Sequence, residues 1–147
     1  MNPVPAAYAE FGQTLAFTER TMTAVLRNRL AQRDVQPETW YALKLVAVGS
    51  PHVARRSLVG DLEGSRGLDA DSTRALLARL AGDGLIVGDD AIGLTEEGKA
   101  LFESLREHVL GATVGLLGQF DLRDVETTVR ILKAITRRTQ EEAESAA

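Results

Sequence analysis

The stretch that decides the fold is residues 68–98, LDADSTRALLARLAGDGLIVGDDAIGLTEEG. Asp69 or Asp71 is placed to cap a helix. The helix that follows, about 71–81, turns Leu76, Leu77 and Leu80 to one side. The Gly-Asp-Gly of 82–84 stops it. Apolar runs at 85–87 and 92–94 flank the Gly-Asp-Asp-Ala of 88–91, which reads as a tight two-stranded hairpin. Thr95 then stands at the cap position of another helix. Helix, hairpin and helix in that order build a winged helix-turn-helix, a mainly α fold with a small β-hairpin wing.

Upstream, Pro37 suits the first turn of a helix over 38–48 that offers Trp40, Leu43 and Ala47 to a core. A third helix over 53–63 turns Leu58, Val59 and Leu62 inward, and 64–67 form a connection. The N-terminal segment carries one apolar stripe, Tyr8, Phe11, Leu15, Met22, Leu26 and Leu30, along a helix over 6–33. Downstream, 96–117 read as a helix with Leu101, Leu105, Ala112 and Leu116 on one face. Gly111 and Gly115 either admit a close-packed helix or bend this one. Asp121 or Asp124 caps a last helix to about 142, apolar at Leu122, Val125, Val129, Leu132 and Ile135.

Apolar residues make up 44% of the 147-residue chain and aromatics 5%, so the core is built of Leu, Val, Ala and Ile. Without cysteine there is no disulfide framework, thiolate metal site or thiol redox sensor. No signal peptide and no bilayer-spanning run is legible, which implies a soluble, cytoplasmic protein with no membrane partner. The two histidines, His52 and His108, fall on separate elements, and no nucleophile elbow, zinc-protease motif or phosphate loop is present. The expectation is therefore no enzyme, no metal and no cofactor. An N-terminal helix of about 28 residues would be roughly 42 Å long. With the last helices it carries more apolar surface than a small winged helix covers. A partner copy interlocking in a two-fold homodimer explains this; an intramolecular bundle is the alternative.

The order of elements resembles the MarR family of winged-helix transcription regulators. The most specific piece is LTEEGKAL, residues 94–101, similar to the LTxxG pattern that follows that family's wing. Ser72, Thr73, Arg74, Leu76, Arg79, Leu80, Gly84 and Leu85 resemble its recognition helix and exit into the wing, and Val35 to Leu43, with Trp40, is similar to the opening of its second helix. The resemblance implies one MarR-like domain over 1–147, with dimerisation helices at 6–34 and 99–143 and the winged helix-turn-helix at 35–98. It further implies a homodimer that binds double-stranded operator DNA, a repressor released by a small phenolic or other aromatic acid. The chain departs from the pattern in a short wing that reads Gly-Asp-Asp-Ala, in Ala75 where an arginine is usual, and in a longer 56–68 segment.

On that resemblance the DNA-contacting candidates are Ser72, Thr73, Arg74, Ala75 and Arg79, with Arg55, Arg56 and Arg66 at the groove's flanks. Arginine in a groove-reading helix binds guanine bidentately or clamps a phosphate. Ser72 and Thr73 are placed either to donate to phosphate or to cap the helix. The family's ligand cavity maps to Tyr8, Phe11, Phe17, Trp40, Tyr41 and His52, for which core packing is the alternative role. Over 52–98 five basic residues stand against nine acidic ones, a net −4 equal to that of the whole chain. An acidic head opposes phosphate binding. The second reading is therefore a winged helix that no longer reads DNA and serves as a protein-interaction or ligand-sensing module.

Overall fold

Thr95 and Gly98 set the geometry around which the first part of the chain is arranged. The computed structural model describes residues 2–146. The Thr95 hydroxyl donates to the Gly84 carbonyl at 2.5 Å and accepts from the Gly98 amide at 2.9 Å, while the Thr95 amide donates to the Leu85 carbonyl at 3.1 Å. One residue thus caps the helix beginning at Glu96 and holds it against the exit of the preceding helix. The Leu85 carbonyl lies so close to Gly98 that a Cβ there would collide with it.

Around this junction run α1 (Ala6–Ala31), α2 (Pro37–Val48), β1 (Val53–Ala54), α3 (Arg55–Ser65), α4 (Ala70–Gly82), β2 (Ile86–Val87), β3 (Ala91–Leu94), α5 (Glu96–Leu117) and α6 (Leu122–Ala146). Proline occupies the first turn of α2, where its missing N–H is harmless. Asp69 caps α4 by accepting from the Ser72 amide at 2.7 Å. Gly67 and Gly84 take left-handed φ of 69° and 76° where α3 and α4 end.

The sheet differs from the hairpin read in the sequence. Val53 and Ala54 are not the first turn of a helix. They form a third strand, paired antiparallel with Ile92 and Ala91, in the order β1-β3-β2. The Arg55 amide extends this pairing to the Asp90 carbonyl at 2.7 Å. The cause is the open edge of β3, whose backbone groups need partners on both sides. Ile86 pairs with Leu94 and Val87 with Gly93 on the other edge. Gly88, at φ 110°, makes the turn, and a Cβ there would collide with the Ala91 carbonyl.

Contacts divide the chain into two units, one through Val109 and one from Leu110 onward. In the first, Leu43 and Val46 of α2, Leu58 and Leu62 of α3, Leu76, Leu77 and Leu80 of α4, Ile92 and Leu105 form a single core with Leu30 and Trp40. The His108 Nε2–H donates to the Arg29 carbonyl at 3.0 Å, which leaves Nδ1 facing Arg33 Nη2 at 3.5 Å; this joins the last turns of α1 to α5. In the second unit, Asp121 caps α6 through the Arg123 amide at 2.8 Å, and no residue of α6 is buried within the chain. No helix among the described residues is long and apolar enough to cross a membrane.

Gly98→Ala should lower unfolding stability by about 1–3 kcal/mol, the usual cost of forcing a methyl group into a filled site. Gly60→Ala, on the open face of α3 with nothing within 4 Å of the added Cβ, should instead raise it by about 0.5–1 kcal/mol. Denaturant unfolding of the two variants checks both signs.

Candidate nucleic-acid interface

Helix α4 has two faces set by its 3.6-residue period. Thr73, Leu76, Leu77 and Leu80 face the core, and Asp71, Ser72, Arg74, Ala75, Ala78 and Arg79 face solvent. The period therefore separates the two adjacent hydroxyls. Thr73 is 1% exposed and its hydroxyl donates to the Asp69 carbonyl at 2.9 Å, so it serves the helix start and does not reach the outer surface. The Ser72 side chain stays outside while its amide is taken by Asp69. That amide and the other hydrogen bonds to the carboxylate hold the Asp69 carboxyl below its ordinary value of 3.8.

Arg74 is the most available cation of this face. Its Nη1 lies 3.4 Å from Asp71 Oδ1, but the two side chains are 78% and 93% exposed. A pair so open to water is worth at most about 1 kcal/mol and yields readily to a phosphate or a base. Arg79 is more constrained: its Nη2 donates to the Thr39 hydroxyl at 3.1 Å, bridging α4 to the first turn of α2. Ala75, and Ala78 one turn on, leave the middle of the face without long side chains.

The three flanking arginines have different surroundings. Arg55 is occupied by the wing: its Nε donates to the Asp89 carbonyl at 2.6 Å and its Nη2 to the Gly88 carbonyl at 3.4 Å. Arg66 lies over the Tyr41 ring, 3.9 Å from its centroid, in a cation–π contact. Arg56 is exposed. The wing tip itself presents Asp89 and Asp90 to solvent.

The six aromatic and histidine candidates are likewise dispersed. Tyr8, Phe11 and Phe17 lie exposed along α1, with the Arg20 guanidinium over Phe17. Trp40 is 5% exposed and stacks on Phe102 with ring centroids 5.5 Å apart. Of the six, His52 lines a cleft in the first unit, of about 350 Å³, with Val46, Leu94 and Phe102 and the charged Lys99 and Glu103 also in its lining. Sequence reading missed Lys99 and Glu103. Their spacing of four on one helix face was the available signal.

No protein-family model and no curated protein sequence matches the chain. Solved structures do. A MarR family protein from Bacillus stearothermophilus superposes with a TM-score of 0.74 at 20% identity, over 95% of this chain and 99% of that one. The Staphylococcus aureus MarR in complex with salicylate and kanamycin gives 0.76 at 16% identity, over 93% and 95%. CouR from Rhodococcus jostii RHA1, bound to p-coumaroyl-CoA, gives 0.69 at 20% identity, over 85% and 90%. The fold is that of the MarR-family transcriptional regulators: six helices and a small three-stranded antiparallel wing.

The lowered Asp69 value fixes a sign for pH. A carboxyl whose folded value lies below its unfolded one stabilises the fold above the unfolded value, and that stabilisation is lost as pH falls through the folded value. Asp69→Asn should therefore lower the melting temperature at neutral pH and leave it nearly unchanged in strong acid. Melting curves across the acidic range test this, and an equal loss at every pH would contradict it.

Proposed function

We propose that this chain is a cytoplasmic, homodimeric transcriptional regulator that binds double-stranded operator DNA through α4 and responds to a small ligand as a repressor. The observation that carries the reading is the outer face of α4. It projects Ser72, Arg74 and Ala75 from the start of a helix whose inner face is anchored by three leucines. The likeness to MarR-family structures supports it. Arg74 reads a base edge in the major groove, and Arg79, tethered to α2, holds a backbone phosphate. Ser72 contacts phosphate at the positive end of the helix dipole. Arg56 and Arg66 flank the groove. Arg55 acts indirectly, by shaping the wing. Segments 6–34 and 99–143 make the dimer, and 35–98 form the DNA-reading head within one MarR-like domain.

Exposed apolar side chains support the dimer. Tyr8, Phe11, Leu15 and Phe17 of α1, and Phe120, Leu122, Val129 and Ile135 at and along α6, stand uncovered in the single chain. Such an extent of apolar surface marks an interface. For the ligand, salicylate and p-coumaroyl-CoA in the similar structures support an aromatic acid or its conjugate. The fold's company is one of regulators, and no enzymatic role is proposed.

Fluorescence anisotropy on DNA upstream of the chain's own gene tests the reading, with salt and competitor titrations. Binding that resists unrelated DNA and weakens steeply with salt is expected. Arg74→Ala should reduce discrimination between operator and unrelated DNA by about 10- to 100-fold, while Arg79→Ala should weaken both alike and flatten the salt dependence. Retained discrimination without Arg74 removes the base-reading assignment. Absence of binding at low salt leaves the protein-interaction module instead. Sedimentation should give twice the 15.9 kDa chain mass, and Ile135→Asp should shift it toward the monomer.

A further inference from the structure

The cleft at His52 has a chemistry of its own. It opens where the C-terminal end of α2, the loop at 50–52, the last residue of β3 and the first turns of α5 meet. Its apolar lining is Leu94 and the Phe102 ring, which is backed by the stacked Trp40, with the buried Val46 behind them. Its rim carries one cation and one anion, Lys99 and Glu103, four residues apart and so on the same face of α5. These two are not paired with each other. Lys99 Nζ sits 3.3 Å from Glu96, and Glu103 sits 3.7 Å from Arg106. Both pairs are solvent-exposed and weak, so both charges can turn to a better partner in the cleft.

The geometry points to a free amino acid with an apolar side chain as the occupant of this cleft. This rests on the ligand-responsive part of the proposed function but departs from the aromatic acid named there: the cleft calls for an ammonium group beside the carboxylate, which salicylate lacks. A ligand with only a carboxylate would gain Lys99 but meet the like charge of Glu103. An amine alone would gain Glu103 but face Lys99. A zwitterion satisfies both: its carboxylate accepts from Lys99, its ammonium donates to Glu103, and its side chain lies on Phe102 and Leu94. The volume of about 350 Å³ suits a molecule the size of phenylalanine or leucine.

The position also gives occupancy a route to α4. Leu94 and Lys99 flank the Thr95–Gly98 junction that ties the exit of α4 to α5. The loop at 51–52 lies directly on the sheet: a Cβ at Gly93 would stand 2.7 Å from the Pro51 carbonyl oxygen and 3.0 Å from His52 Nδ1. An occupant bearing on Leu94, His52 and Lys99 therefore bears on β3 and on the junction, and shifts the equilibrium of whichever arrangement of α4 it fits better.

The test is titration calorimetry of the full chain with L-phenylalanine, L-leucine, 3-phenylpropanoate and 2-phenylethylamine, together with the fluorescence of Trp40, the chain's one tryptophan. L-phenylalanine should bind one per chain and change the Trp40 emission. Each half-ligand should bind at least about tenfold more weakly, the cost of one lost charge-assisted contact. Lys99→Met and Glu103→Gln should each cost phenylalanine about tenfold. Glu103→Gln should not weaken 3-phenylpropanoate, a pattern that loss of folding would not produce. Absence of saturable binding by either amino acid overturns the inference. So does 3-phenylpropanoate binding as tightly as phenylalanine. Operator binding measured on the same preparation separates the two readings. Intact operator binding without amino-acid binding overturns the ligand class alone. Loss of operator binding overturns the regulator reading.

Discussion

One hydroxyl, that of Thr95, holds together the parts on which the rest of the first unit depends. It closes the first turn of α5 and takes the Gly84 carbonyl that the end of α4 leaves unpaired. Each such hydrogen bond contributes only about 0.5–1.5 kcal/mol net, but losing the hydroxyl would orphan partly buried backbone groups just past the end of α4 and in the first turn of α5 at once, at about 1–3 kcal/mol each. Gly98 is the complementary constraint. In a capping box this third helical position would carry a Glu or Gln reaching back to the cap residue. Here the Leu85 carbonyl lies against it, and only a hydrogen fits in place of a side chain. The LTEEG string thus fixes how the exit of α4, the hairpin and α5 meet.

Electrostatics divides the head into parts with different capacities. The wing tip presents two carboxylates, and the one arginine bonded to it, Arg55, is directed at backbone carbonyls. Those bonds stabilise the turn and leave the charges of Asp89 and Asp90 uncompensated by that contact. A tip of this kind is repelled by a phosphate-lined groove at close range, inside the Debye length of about 8–10 Å. On the proposed reading, DNA affinity then falls to α4 and its flanks, where Arg74 competes only with an exposed aspartate. The net −4 of residues 52–98 sets the long-range field, and the local arrangement at α4 sets what happens on contact.

The helices and the hairpin were legible because their signals are periodic and several turns long. The leucines at 76, 77 and 80 and the Gly-Asp-Asp-Ala turn needed no tertiary information. Strand β1 was not legible, since two residues have no period, and its existence depends on the open edge of β3 about 40 residues away. Thr73 looked like a phosphate donor beside Ser72, yet it falls three residues before Leu76 and seven before Leu80. That spacing already placed it on the inner face. Arg55 could not be read as a wing residue, because its partners are carbonyls more than 30 positions downstream. The cleft was half legible: His52 was singled out, but Phe102 and the Lys99/Glu103 pair meet it only through the fold.

On the proposed reading, the balance between a single chain and a pair is one of magnitude. Leu30 is the one buried residue of α1, so most of its length of about 39 Å contributes little to the core. Burying a large apolar side chain is worth about 1.5–3 kcal/mol. On α1 alone, Tyr8, Phe11, Leu15 and Met22 are exposed along one stripe, and a two-fold interface counts each of them twice. Even half of that burial exceeds the lower end of the association cost, about 4–15 kcal/mol before side-chain ordering. The exposed residues of α5 and α6 add to the same side of the balance. A second copy of the chain supplies apolar surface of the same kind and extent. That match of surface to partner favours the homodimer over a helix left bare in water.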